Sequence, residues 1–262
     1  MRTTLNKFLA ALLLVAGTLS AIPAAAQDDA QLSVLHGVPG LTVDVCVNDS
    51  VLLPGFTPGT LTPPQSLPAG TYTVKIFAST TDCSGTPAIG PINLPLAAGM
   101  NYTAVAHLDA SGTPTASLFE NDTSAAGMGE GKATVRHTAA NAEGVEIVVN
   151  GSISLGTFIN GGQLGPVALA AGTYSAEIKA GMVTVPPTPA DVPVAEGQNT
   201  IVYAWGDANT GAVQLAVQTV PLAAPPATGG DTASVPTLGG AGLIVMILAL
   251  LGVGLLATRR LI

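Results

Sequence analysis

The sequence predicts an all-β chain: two tandem immunoglobulin-like β-sandwich domains, with an N-terminal signal peptide before them and one C-terminal transmembrane helix after them. Three observations carry that expectation. VDVCVNDSVLLPGF (43–56) aligns with VEIVVNGSISLGTF (145–158), and PAGTYTVKIF (68–77) aligns with AAGTYSAEIK (170–179), both at an offset of 102. A period near one hundred residues is too long for a solenoid unit and fits a duplicated globular domain. Within each copy the apolar residues alternate with polar ones, and glycine-bearing turns separate the runs.

The elements follow in chain order. MRTTLNKFLAALLLVAGTLSAIPAAAQ opens with Arg2 and Lys7, continues with an apolar run, and closes on small residues. That order describes a secretory signal peptide over residues 1–26, cut between Ala26 and Gln27. Repeat 1 covers residues 31–120 and repeat 2 covers residues 133–222. In repeat 2, Asn150-Gly151 stands between two β-rich runs, where both residues can take the positive φ of a tight hairpin turn. Tyr174, Ala176 and Ile178 then share one strand face, with Ser175, Glu177 and Lys179 on the other. Tyr72, Val74 and Ile76 repeat the inward set in copy one, and late hairpins turn at DASG (109–112) and DANTG (207–211). About seven short strands in each copy fit a small sandwich.

The joints differ in composition. NDTSAAGMGEGK (121–132) is small, polar and glycine-rich, so it reads as a linker that hinges the domains rather than sharing a core with them. The stretch 223–236 is a Pro/Ala/Thr-rich spacer. Residues 237–258 then read as a transmembrane anchor, because at ~1.5 Å per residue the uncharged run from Leu238 to Ala257 spans roughly the hydrocarbon layer. Arg259 and Arg260 open a basic cytoplasmic tail, 259–262, which leaves the body outside the cytoplasmic membrane.

Charge narrows the partners. Between the cleavage site and the anchor, sixteen acids face Lys75, Lys132, Arg136 and Lys179, a net charge of −12 with histidine neutral. Nucleic acid and anionic headgroups would repel such a surface. The expected partners are therefore an envelope, glycan or protein ligand, with membrane contact only through the C-terminal helix.

Cysteine usage adds one covalent expectation. The copy that has Cys46 also has Cys83; the other copy has Val148 in place of Cys46 and is shorter where Cys83 falls. In an oxidising compartment this linkage predicts a Cys46–Cys83 disulfide. Strand alternation puts Val43, Val45 and Val47 inward and Cys46 on the outer face, so the bridge reads as a surface staple from strand to loop. No third or fourth ligand stands at a spacing that would make these cysteines a metal site.

Catalytic candidates are few. His36 and His137 close equivalent strands, in register with inward Val34 and Val135. Each reads either as a ligand or proton carrier or, preferably, as an imidazole tying a strand end to a neighbouring loop. His107 aligns with Trp205, which is expected to be packed. Asp109 and Asp207 recur at the same place but sit in turns beside Gly112 and Gly211, where Asp is an ordinary turn former. No nucleophile elbow, phosphate-cradling loop or H-E-x-x-H is present. The expectation is a non-catalytic surface protein without cofactor or metal. The alternatives are an extracellular hydrolase of glycans, which needs a carboxylate pair at a cleft, and a calcium-dependent adhesion module.

Two resemblances support this. The strands ending in His (VLHGVPG, VRHTAAN), then VDVCVND or VEIVVNG, then LPAGTYTVKIF or LAAGTYSAEIK resemble the bacterial domain of unknown function 4397, over nearly all of residues 31–222. The resemblance implies a secreted or surface address and no activity. VPTLGGAGLIVMILALLGVGLLATRR resembles the Gram-negative I-P-T-L type sorting tail, with Val235, Pro236, Thr237 and Leu238 at the motif and Arg259 and Arg260 at the end. It implies either processing by a sorting peptidase or a permanent anchor.

Overall fold

A computed structural model describes residues 28–226, except 81, 143, 181, 182, 185–187 and 212. The expected signal peptide with its Ala26–Gln27 cleavage site, most of the expected spacer, and the expected anchor and tail lie outside the described residues. Among those described, no helix is long and apolar enough to cross a membrane.

The described residues are all-β, with four small sheets. The first half forms β1 (Ala30–His36), β2 (Val43–Val47), β3 (Ser50–Phe56), β4 (Gln65–Leu67), β5 (Gly70–Phe77), β6 (Ile89–Leu96), β7 (Asn101–Leu108) and β8 (Pro114–Glu120). The second forms β9 (Glu130–Ala140), β10 (Val145–Val149), β11 (Ile153–Phe158), β12 (Gln163–Ala170), β13 (Gly172–Ala180), β14 (Val183–Thr184), β15 (Ala190–Val194), β16 (Gln198–Asp207) and β17 (Gln214–Pro221). Orders β4-β1-β7-β8 and β3-β2-β5-β6 recur as β12-β9-β16-β17 and β11-β10-β13 with β14 and β15 on its far edge. In both halves the strand ending in histidine pairs in parallel with the penultimate long strand, β1 with β7 and β9 with β16.

Local chemistry explains the turns. Asn150 and Gly151 have φ of 50° and 71°, and their counterparts Asn48 and Asp49 have 49° and 63°. Asparagine and aspartate tolerate this left-handed region better than other side-chain-bearing residues. The Asn150 and Asn48 carboxamides then accept from Ser175 N and Thr73 N, which ties each hairpin to the next strand. Asp207 caps a short 3-10 turn, Ala208–Thr210, by accepting from Asn209 N. Tyr72 and Tyr174 each donate to the carbonyl four residues upstream, Pro68 O and Ala170 O.

Within each half the two sheets face one another across apolar side chains. Leu32, Tyr102 and Ala104 meet Leu94 and Leu96; Val43, Val45, Phe56 and Ile76 meet Ala106. In the second half Val145, Ile147 and Ile178 meet Ala204. The inward sets read from alternation are those that pack.

Cys46 and Cys83 form a disulfide. Its expected exposure is corrected: both cysteines are buried, at 1% and 5%. Alternation placed Cys46 on the correct face, away from Val43 and Val45. The loop carrying Cys83 then folds over that face, so Phe77 and Val51 join the bridge in a small apolar cluster.

A larger difference concerns the joint. Residues 121–132 do not separate two independent cores. Leu35 and Val105 of the first half pack with Ile201, Tyr203 and Val220 of the second. The sheets containing β1 and β7 and containing β9 and β16 are therefore covered on both faces, giving four stacked layers. Burial follows: every residue of β7 after Asn101 is buried, as is β16 from Asn199 to Gly206.

Candidate functional site

The seam between the two halves gathers most of the buried polar side chains. Its residues are those that alternation points away from each inner core: Ser33, Thr103 and His107 on one side, Thr134, Arg136, Thr138, Asn199 and Gln218 on the other. A row of polar side chains on a half-buried strand ordinarily faces water. Here two such rows meet.

Arg136 is the centre of this arrangement, 1% exposed. Its Nη1 donates to Asn121 Oδ1 at 2.7 Å and to Tyr203 Oη at 2.7 Å. Nη2 donates to Glu120 O at 2.8 Å, and Nε to Gln163 Oε1 at 3.0 Å. The guanidinium lies 4.6 Å from the Phe119 ring centroid and 5.4 Å from that of Tyr203. Burial lowers its pKa and Tyr203 opposes that shift. Aromatic faces and neutral oxygens thus replace water around the cation, and no carboxylate is within ion-pair distance among the described residues.

The network continues through neutral groups. Tyr203 Oη donates to Gln218 Oε1 at 2.6 Å, Thr103 Oγ1 donates to the same oxygen at 2.9 Å, and Asn121 Nδ2 donates to Thr103 Oγ1 at 3.0 Å. At one end Lys132 Nζ pairs with Asp122 at 3.1 Å and donates to Ser124. The linker is therefore held at Asn121, Asp122 and Ser124. At the other end Trp205, 2% exposed, lies against the first half: a Cβ added at Gly37 would stand 3.2 Å from Trp205 Cβ, and one at Gly59 would stand 3.0 Å from its ring.

The three histidines are buried, and each bonds a backbone carbonyl, while His137 Nδ1 has no partner. His36 Nε2 donates to Leu41 O at 2.7 Å, and His137 Nε2 to Ala142 O at 2.6 Å. Each imidazole ties its strand end to the following loop, as the preferred reading of the sequence holds. His107 Nδ1 donates to Leu108 O, and Nε2 accepts from Ser117 Oγ. Burial is the main cause that depresses all three pKa values. Between those depressed values and about 6.5 the unfolded chain binds more protons than the folded one, so stability falls as pH drops through that window. Urea midpoints at pH 7.5 and pH 5.5 check this; an equal or higher midpoint at the lower pH would contradict it.

Asp109 and Asp207 are turn formers. Asp109 accepts from Ser111 and Thr113, which together lower its pKa. Asp207 accepts from Asn209 N and Asn141 Nδ2. Several cavities lie among the described residues. Apolar interiors of about 40 Å³ in the first half and about 50 and 100 Å³ in the second lie between facing sheets. Clefts of about 250 and 320 Å³ flank the loop after β3. None of these is lined by an aspartate, glutamate or histidine. No group of three metal-ligating side chains forms among the described residues.

Arg136 escaped the sequence reading. A signal was present: NYTAVAHL and NTIVYAWG are nearly continuous apolar runs, which mark strands covered on both faces rather than one.

Residues 30–148 match the family model of a domain of unknown function, DUF4397. The match begins at β1 and ends within β10, spanning the first half, the linker and the start of the second. No curated protein matches the chain.

Proposed function

We propose that this chain is a non-catalytic, envelope-displayed binding module: two tandem immunoglobulin-like β-sandwiches of the DUF4397 type, locked into one rigid body. In this reading residues 1–26 export the chain, 223–236 space it from the membrane, and 237–258 anchor it or are processed at the motif beginning Val235. The observation that supports it most is the placement of the titratable groups. Each histidine is buried and bonded to a backbone carbonyl, and no acid lines the cavities described above. A hydrolase of glycans needs a carboxylate pair facing a cleft. The cavities described above instead present apolar and neutral polar side chains, which recognise without reacting.

The test is a pull-down by the purified full-length chain from the producing organism's envelope fraction and glycans. A saturable partner, lost when an exposed face such as Ile153 with Ile159 is made acidic, is the expected result; these two are 55% and 68% exposed. Turnover of any retained glycan would overturn the non-catalytic reading.

A further inference from the structure

The second half fills its inner core less completely than the first. In the first half Leu32, Leu94, Leu96 and Tyr102 are buried together and close one end of the core. Strand register makes their counterparts Ala133, Val192, Val194 and Thr200. Each is smaller, and Val202 in place of Ala104 returns only part of the lost volume. Where the first half keeps an apolar void of about 40 Å³, the second keeps voids of about 50 and 100 Å³.

The voids of the second half share Ala133, Val135, Val149, Leu155, Leu169 and Tyr174 in their walls, so they are lobes of one space. The smaller lobe runs inward to Ile147, Ile178 and Val202. The larger ends at Ile153, Leu164 and Val167, on the edge strands β11 and β12. This outer lobe is reachable. On β12 Gln163, Pro166, Ala168 and Ala170 face out and are exposed, whereas Leu164, Val167 and Leu169 point to the interior and are still only half-buried. Ile153 at the rim is 55% exposed.

The polar groups in the walls are already bonded. Tyr174 Oη donates to Ala170 O, Thr188 Oγ1 accepts from Ile178 N, Thr134 Oγ1 donates to Asn199 Oδ1, and Asn150 Oδ1 accepts from Ser175 N. No charged side chain lines either lobe among the described residues. Water would find too few partners here, and an apolar space of ~150 Å³ stays dry and accepts an apolar guest.

We infer that this space is a binding site for a linear alkyl chain, which enters between β11 and β12 and leaves its head group in water. This rests on the binding-module reading above and names its ligand class. An ion or a sugar would meet walls without a counter-charge or a spare partner. A flat ring would fill the outer lobe alone, whereas a chain threads both lobes and takes each methylene out of water. The copies have diverged at the residue that decides this, because Leu32 fills in the first half the place that Ala133 leaves open in the second.

The experiment exposes the full-length chain, kept in solution by cholate, which has no long alkyl chain, to two diazirine-bearing probes: decanol and lysophosphatidylcholine. Mass spectrometry then maps the photo-cross-linked residues. Saturable labelling within residues 133–135, 147–155 and 164–178, competed by unlabelled decanol, is the expected result. Labelling by both probes assigns the site to lipid tails; labelling by decanol alone assigns it to free chains. Ala133→Leu, which installs the residue of the first copy, should cut the labelling at least tenfold while melting at the same or a higher temperature, because it fills the space. If that variant melts lower, Val167→Phe, which narrows the mouth from a half-buried position, decides instead and should give the same loss. No saturable labelling of these walls, or undiminished labelling in the deciding variant, overturns the site. Those outcomes leave the non-catalytic binding reading to the envelope pull-down, which is read without any alkyl probe.

Discussion

Arg136→Ala is expected to cost on the order of 4 kcal/mol, from a cavity at the seam plus acceptors left without a donor. Those acceptors are Asn121 Oδ1, Gln163 Oε1, Glu120 O and the Tyr203 oxygen. The shape of the transition should change as well. With the seam intact the two halves share buried side chains and should unfold together; without Arg136 they should separate into two steps. Urea unfolding followed by Trp205 fluorescence and by far-ultraviolet circular dichroism distinguishes the cases. Coincident curves with a midpoint within a few tenths molar of wild type would show that Arg136 does not lock the halves. Arg136→Leu, which installs the residue of the equivalent position, Leu35, should recover some packing but not the lost donors.

Reduction of the Cys46–Cys83 bridge is the second large effect. The sequence separation is 37 residues, and restoring that loop's freedom to the unfolded chain corresponds to roughly 4 kcal/mol in the chain-entropy description. The loss should fall on the first half, since the second has no cysteine. Because Cys46 and Cys83 are buried, the reductant should act slowly on the native protein and quickly once urea is present. Thiol labelling of the unfolded, unreduced chain should find no reactive sulfur. Two labelled thiols, or an unchanged melting temperature for the Cys46→Ala/Cys83→Ala variant, would contradict this.

Much of the fold could be read from the sequence because its signals were local. The Asn150-Gly151 turn, the inward set Tyr72, Val74 and Ile76, and the turn role of Asp109 each follow from residues within a few positions of one another. The pairing of Cys46 with Cys83 was legible because the repeat offered an internal control. The seam was not, because it depends on two polar rows complementing each other across about 100 residues of chain, and neither row looks apolar alone. Arg136 illustrates this. Alone it reads as one solvated cation among four; only Phe119, Asn121 and Tyr203, brought together by the packing, make a buried position tolerable. The glycine-rich linker misled for the same reason. Its composition describes how freely the segment moves when unattached, and Asn121, Asp122 and Ser124 are attached.

The stacking of four sheets also changes what the duplication means. Across the seam, equivalent positions no longer match: Leu35 stands for Arg136, Val105 for Tyr203, Thr103 for Ile201, His107 for Trp205 and Phe119 for Gln218. Each copy has become the mould of the other. Two first copies would bring Phe119 against a leucine with no cation to cover, and two second copies would set Arg136 against a glutamine where the Phe119 ring now lies. The pair has thereby lost interchangeability. A gene that gained a third copy by slippage would append a unit with no complementary face to meet, so the architecture caps its own growth at two.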